Sequence, residues 1–288
     1  MPKQLNPDDV IKKLNSYYTR KELTTFKKRK ELMTGISEID ADFSFPRGYY
    51  VVIGNPGTGK SWFAIWLSRV FYKHHLMSSV YFSLEMTRQV MIARILQQWS
   101  DLTKAQFESG SDTSQALDLL EKDVLLIDNF YEEDTKGQTP ENFEMWIDEY
   151  HSMGYRIFHF DHLHELDGAN DNSRNQKVTE QWAKLFQKIC KKYDDMWLFV
   201  YAQPNGEAAK KKVLRRTDIA GSKAITQKCD FVLSLNRNIE IDDNGIPSVN
   251  ENQREIILWL DKTRYTERPY IPFFLKFRET GNFGKEAQ

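Results

Sequence analysis

Between Gly48 and Ser61 the chain reads GYYVVIGNPGTGKS, and no other stretch constrains its fold as strongly. Tyr49 to Ile53 is a run of aromatic and β-branched residues, the pattern of a strand buried on both faces. Gly54, Asn55, Pro56, Gly57, Thr58, Gly59, Lys60 and Ser61 then match G-x-x-x-x-G-K-[ST] in full. From Ser61 to Tyr72 the apolar residues recur at helical spacing. A strand, a glycine-rich turn and a helix in that order make a phosphate cradle. The glycines let successive backbone N–H groups curl around phosphate oxygens, and the helix N-terminus adds partial positive charge. Lys60 is placed to reach the β- and γ-phosphates and the Ser61 hydroxyl to meet Mg²⁺. ATP, or another NTP or dNTP, together with Mg²⁺ is the expected cofactor pair.

The rest of the chain alternates between the same two kinds of element. Strand patterns fall at 79–84, 123–127, 156–160, 196–201, 231–235, 256–260 and 272–277, and helical patterns at 89–99, 142–152 and 176–192. Alternation at these lengths predicts an α/β fold, a mostly parallel central sheet flanked by helices. No repeat or low-complexity tract interrupts it. Two segments, 167–174 and 205–217, read as mobile loops.

Composition narrows the class further. With 40% hydrophobic and 28% charged residues the 288-residue chain is apolar enough to build a core. It contains no run of about 18 apolar residues that would span a membrane. The opening MPKQLNPDDVIKK lacks the apolar stretch of a secretory signal, and the two cysteines, Cys190 and Cys229, have no metal-ligand spacing, so a cytoplasmic setting is expected. His159, His162 and His164 do not make a closed zinc site, since strand alternation sends 159 to the face opposite 162 and 164 and no fourth ligand is near in sequence. The net charge is -1, so any nucleic-acid binding must rest on local patches. One patch is the N-terminal arm, residues 1–33, where the first 30 residues hold nine basic side chains against three acids. Val10, Ile11, Leu14 and Tyr17 or Tyr18 give residues 8–20 a short helical stripe, suited to a solvated helix, to packing on a neighbouring subunit or to touching nucleic acid. Residues 34–288 form the expected globular domain.

A phosphate cradle of this kind needs a carboxylate at the end of another strand to hold Mg²⁺ through water, and Asp161 ends the strand Tyr155–Phe160. It also needs a group to activate the attacking water. The residue after Asp161, where many such ATPases carry Glu, is His162; Glu85 and Glu165 are the remaining candidates. Glu85 stands at the C-terminal end of a strand, where open α/β sheets bind ligands, and is favoured. Gln203 ends the next strand and suits a hydrogen bond to the γ-phosphate, although a plain loop glutamine fits it equally.

Taken together, these residues resemble the RecA-like motor domain of DnaB-type ring helicases, especially the helicase half of phage primase-helicases and the mitochondrial helicase Twinkle. The likeness runs from about Thr34 to Phe283. Thr34-Gly35-Ile36 with Asp40 resembles the family's opening segment, and FSLEM at 82–86 its strand with the catalytic glutamate. Phe160-Asp161-His162-Leu163 resembles the magnesium-site strand, Tyr201-Ala202-Gln203 the γ-phosphate sensor, Asp218–Ile225 with Gln227 and Asp230 the DLRGSGAI block, and Lys262-Thr263-Arg264 the Lys-x-Arg pair. The resemblance implies that Glu85 activates water and Gln203 senses the γ-phosphate. It makes Arg264, with Lys262 beside it, a finger inserted into an adjacent subunit's site, so that a ring, usually a hexamer, is the active species. It also pairs Arg237 and Phe277 across the adenine, although core packing suits Phe277 nearly as well. A phage or another mobile element is the implied source, and a primase, a loader or a single-strand-binding protein the implied partners. The chain departs from the family pattern at Ala220, Lys223 and His164, and neither a primase or zinc segment nor a DnaB-like N-terminal domain is expected before the motor.

Family helicases hold single-stranded DNA on loops that follow the positions of Asp161 and Gln203. The second loop here carries Lys210, Lys211, Lys212, Arg215 and Arg216 against the single acid Glu207, the charge needed to track a phosphate backbone, although a solvated charge run has the same composition. The sequence therefore predicts an ATP-dependent, ring-forming DNA helicase. A RecA-like ATPase that forms filaments on single-stranded DNA is the alternative, and a regulatory ATPase without a DNA partner is disfavoured by the basic loop.

Overall fold

The computed structural model describes residues 31–129, 139–162, 172–219, 222–237, 239–241, 247–249, 254–264 and 271–284. Two short antiparallel pairs stand apart from the main sheet: β1 (Glu31–Leu32) with β2 (Phe45–Pro46), and β9 (Ile239–Ile241) with β10 (Pro247–Val249). The main sheet is nine-stranded among the described residues. It is built from β3 (Gly48–Gly54), β4 (Ser79–Ser83), β5 (Leu125–Asn129), β6 (Ile157–Asp161), β7 (Trp197–Ala202), β8 (Phe231–Asn236), β11 (Glu255–Thr263), β12 (Ile271–Phe277) and β13 (Phe283–Gly284). Their order across the sheet is β13-β12-β11-β8-β3-β7-β6-β4-β5. From β8 to β5 every pairing is parallel, and β11, β12 and β13 extend the sheet antiparallel. The expected parallel α/β architecture is thus present, with an antiparallel wing added.

The helices are α1 (Ser37–Asp40), α2 (Lys60–His75), α3 (Arg88–Trp99), α4 (Lys104–Glu108), α5 (Ser114–Glu121), α6 (Pro140–Ser152), α7 (Asn172–Lys192) and α8 (Ser222–Lys228). The sheet divides the interior into two cores because successive strand residues point to opposite faces. On β3, Tyr50 and Val52 pack with Phe63, Leu67 and Phe71 of α2 and with Met91 and Ile95 of α3. Tyr49, Val51 and Ile53 face the other way, into a core shared with Phe143 and Ile147 of α6 and Phe186 and Ile189 of α7. A strand covered on both sides has no polar face, which is why 48–54 carries no alternation.

The differences from the sequence reading are local. β5 begins at Leu125 rather than 123, because Asp123 takes a positive φ of 52° that ends the preceding turn. α4 and α5 add to the helices read from the sequence; α4 starts with a capping box in which Thr103 and Gln106 exchange backbone and side-chain hydrogen bonds. The globular body already includes Glu31 and Leu32, the latter fully buried. The helix expected at 8–20 lies outside the described residues.

Phe143 is fully buried, and its ring lies 4.9 to 5.7 Å from those of Phe82, Phe160, Trp182 and Phe186. Truncating it empties the junction of α6, α7 and the sheet. Phe143→Ala is expected to cost about 3–5 kcal/mol in urea-denaturation free energy; a loss under about 1 kcal/mol would show that this junction does not hold the second core together.

Candidate active site

Strand order decides what meets at the site. β3, β7, β6 and β4 run side by side and parallel, so their C-terminal ends form one edge. Along that edge stand, in order, the Gly54–Ser61 loop, Gln203, Asp161 with His162, and Glu85. This is where an open α/β sheet binds ligands, and the order reverses there, since β4 and β8 lie on opposite sides of β3.

The loop is wound tightly. Gly57 and Gly59 adopt φ of 76° and 100°, a left-handed backbone that a side chain would strain. Thr58 Oγ1 donates to Asn55 O at 2.7 Å. Lys60 is buried, and its Nζ donates to Gly54 O at 2.9 Å and Asn55 O at 3.2 Å. Burial draws the Lys60 pKa down, while the charges of Asp161 and Glu85 oppose that pull. The ammonium therefore stays in place inside the loop, held by carbonyls a phosphate would replace.

Asp161 is 2% exposed. Its Oδ2 accepts from Ser61 Oγ at 2.7 Å and from the Tyr81 hydroxyl. Its backbone carbonyl accepts from Leu84 N at 2.8 Å, tying β6 to the end of β4. Oδ1 is buried and has no hydrogen-bond partner among the described residues. A buried carboxylate oxygen in that state, next to a serine hydroxyl and across from a phosphate loop, fits a hydrated Mg²⁺. Burial and the neighbouring Asp161 push the Tyr81 hydroxyl well above its usual pKa, so it remains a donor. Beneath this pair His159 is fully buried between Ser68 Oγ (3.0 Å) and Tyr201 OH (2.9 Å), and burial lowers its pKa to about 3. It is a neutral core histidine.

Glu85 sits in a turn that Ser83 closes by donating from its Oγ to Met86 O at 2.6 Å, and its side chain is 51% exposed. The carboxylate is thus open to incoming water. Its Oε2 lies 3.4 Å from His162 Nε2, and Gln203 Nε2 lies 2.7 Å from the same ring nitrogen. Glu165 and most of the first expected loop lie outside the described residues; residues 172–174 open α7.

Arg237 and Phe277 come together beside the phosphate loop. The guanidinium carbon is 5.5 Å from the ring centroid of Phe277, and Nη1 donates to Gly57 O at 3.4 Å. Trp62, Arg237, Arg254 and Phe277 line a cavity of about 220 Å³ there.

Arg264 and Lys262 are not part of this edge. Thr263 pairs with Phe231 at the start of β8, and Phe231 pairs with Tyr50 near the start of β3. Lys262 Nζ donates to Cys229 O at 2.6 Å and also to Thr226 O; Arg264 Nη2 donates to Gln227 O at 2.7 Å. Both cations thus hold carbonyls at the C-terminal end of α8, and Arg264 Nε lies 3.5 Å from Asp230. Asp230 accepts from Tyr49 N, so Arg264 lies by the start of β3, and the length of that strand, about 20 Å at 3.3 Å per residue, separates it from its own phosphate loop.

The basic segment after Gln203 differs from the mobile loop expected. It folds into two 3-10 turns, Ala208–Lys210 and Arg216–Asp218, with Leu214 buried beneath them. Lys211 pairs with Asp218 at 2.6 Å; Arg215 lies 4.1 Å from the Trp259 ring centroid and 3.4 Å from Asp261. Lys210, Lys212 and Arg216 are exposed. Asn55 Nδ2 donates to Ala209 O at 3.0 Å, so the segment touches the phosphate loop directly.

The model of the DnaB-like helicase C terminal domain matches residues 31–279. The chain belongs to this family. With it the chain joins the ATP-hydrolysing helicases, and the solved structures agree on the fold. The ATPase domain of a phage helicase has a TM-score of 0.73 at 18% identity, covering 99% of this chain and 100% of that one. A DnaB-like replicative helicase described with its interactions with primase scores 0.72 at 18% identity, covering 98% of this chain and 67% of that one. A KaiC-like protein from Pyrococcus horikoshii OT3 scores 0.59 at 14% identity over 89% of this chain and 99% of that one. None of the curated proteins matches in sequence.

Within this DnaB-like domain, Tyr81 and the contacts of His162 are absent from the sequence reading. Both act across strands, and spacing along one strand carries no sign of that. Tyr81→Phe removes one of the two hydroxyls on Asp161 Oδ2 and little volume. It should raise the Mg²⁺ concentration for half-maximal ATP hydrolysis several-fold, up to about tenfold for a hydrogen bond to a charged group; an unchanged Mg²⁺ requirement would show that Tyr81 does not hold the carboxylate.

Proposed function

We propose that residues 34–288 are the motor of a ring-forming helicase, usually hexameric, that moves on single-stranded DNA and opens duplex at a replication fork, with residues 1–33 as the arm that joins subunits. The observation that carries this reading is the split of the catalytic groups. Lys60, Ser61, Asp161, Glu85 and Gln203 share one sheet edge, and Arg264 lies at the opposite end of β3. An arginine placed there serves a neighbour's nucleotide in a head-to-tail assembly, and such assemblies close into rings or run on as filaments.

The roles follow from the geometry. The loop N–H groups and Lys60 would bind the phosphates of ATP or another NTP, and Ser61 and Asp161 would hold Mg²⁺. The metal, when bound there, supplies neutralisation of the β- and γ-oxygens. Glu85, exposed at its turn, takes the proton of the attacking water. Gln203 hydrogen-bonds the γ-phosphate and reports its loss. Arg237 and Phe277 stack on the base beside the cavity they line with Trp62. Lys262 positions the strand that carries Arg264.

On the DNA side, Lys210, Lys212 and Arg216 are open to phosphate contact, while Lys211 and Arg215 hold the segment in shape through Asp218 and Asp261. The Asn55–Ala209 contact offers a direct path from nucleotide state to this segment. A primase fits as a partner, since a DnaB-like helicase of the same fold has been solved with its primase interactions in view; a loader or single-strand-binding protein fits the same task. No helix among the described residues is long and apolar enough to cross a membrane. A cytoplasmic setting, that of the host for a phage-encoded protein, suits the role.

The test is unwinding of a forked duplex with a 5′ single-stranded tail. ATP-dependent strand release is expected, with a loss of about a hundredfold or more in Lys60→Ala. Filaments rather than rings in electron micrographs, with DNA-stimulated hydrolysis and no strand release, would favour a recombinase-like ATPase. Hydrolysis indifferent to DNA would contradict both.

A further inference from the structure

His162 is 1% exposed and lies between two groups of the site, and the family pattern read above gives it no role. Its position follows from the register of three strands. Ser83 on β4 pairs with Asp161 on β6, Phe160 on β6 pairs with Val200 on β7, and Leu84 N donates to Asp161 O at 2.8 Å. One residue beyond β6, the His162 side chain is flanked by Glu85 from the end of β4 and Gln203 from the end of β7. Both meet the same atom: Gln203 Nε2 is 2.7 Å and Glu85 Oε2 3.4 Å from His162 Nε2.

One ring nitrogen offers one hydrogen or one lone pair. With Gln203 at hydrogen-bond distance, Nε2 accepts from the Gln203 amide, and the carboxylate stays beyond normal hydrogen-bond length. A glutamine that turns its amide to a γ-phosphate gives Nε2 up. The imidazole then takes the tautomer with hydrogen on Nε2, and Glu85 is the acceptor beside it. A hydrogen bond from a buried, rigid ring to one carboxylate oxygen fixes the orientation of the other, which is the oxygen open to water.

We propose that His162 is a positioning residue that couples γ-phosphate capture by Gln203 to the alignment of Glu85. The inference rests on the roles proposed above for those two residues. Hydrolysis would be held back while Gln203 occupies the ring nitrogen and released when the phosphate takes Gln203 away. The site then acts on a bound triphosphate and leaves Glu85 unaligned without one.

The test is a double-mutant cycle on kcat and KM for ATP, with single-stranded DNA saturating and nucleotide affinity measured in parallel. His162→Phe keeps a ring and removes the nitrogens. It is expected to lower kcat about 10- to 100-fold with KM and ATP affinity near wild type, the size of effect that misplacing a catalytic group produces. Gln203→Ala should cost little more in that background than His162→Phe alone. His162→Gln, which returns a donor near the Nε2 position, should recover part of kcat; it also serves where the Phe variant fails to fold. Wild-type kcat in His162→Phe, or losses from the two sites that simply multiply, would overturn the coupling. Glu85→Gln separates the two levels. If it abolishes hydrolysis while His162→Phe does not impair it, only the coupling fails; if it leaves hydrolysis intact, the role of Glu85 fails with it.

Discussion

The site depends on Asp161 being held from several directions at once. Ser61 from α2 and Tyr81 from β4 donate to the same carboxylate oxygen, and Leu84 N fastens the Asp161 carbonyl to the end of β4. A buried carboxylate is costly unless hydrogen-bonded, so this arrangement both stabilises the charge and fixes its direction. It brings the phosphate loop, the metal-facing oxygen and the turn bearing Glu85 into one rigid unit. Lys60, buried in the same place, keeps its ammonium against the pull of burial because Asp161 and Glu85 lie close.

Much of this was legible in the sequence, and the reason is chemical. A phosphate cradle needs contiguous residues, so Gly54–Ser61 carries its own signature. Strands buried on both faces announce themselves as apolar runs, and the site lies at their C-terminal ends, which placed Asp161, Glu85 and Gln203. Other features hid for equally physical reasons. α4 has five residues and α5 has eight, too few turns to show periodicity. Tyr81 and His162 act on neighbours that strand pairing, not chain order, brings close. The pinning of the basic segment depends on Asp261 and Trp259, more than forty residues downstream of Arg215. A loop that reads as a free run of charge is therefore partly a packed surface, with its exposed cations reduced to Lys210, Lys212 and Arg216.

The position of Arg264 gives the domain its most consequential asymmetry. Its guanidinium caps the last carbonyls of α8 and faces Asp230, at the end of the sheet away from the nucleotide. These contacts fix the side chain without using its charge at the chain's own site. One surface of the domain thus offers a nucleotide site and the opposite one an arginine, which is the pairing a head-to-tail assembly requires. Ring closure would make every site composite and tie the firing of one interface to the geometry of the next.

The direct test of that central claim is hydrolysis by mixed assemblies of Lys60→Ala and Arg264→Ala subunits. Each variant alone should be nearly inactive. On mixing, a Lys60→Ala subunit would bring its intact Arg264 to the intact phosphate loop of an Arg264→Ala neighbour, and a part of the DNA-stimulated ATPase activity should return. A mixture as inactive as its components, with subunit exchange shown to occur, would contradict a site shared between subunits; full activity of Arg264→Ala alone would contradict the role of that arginine.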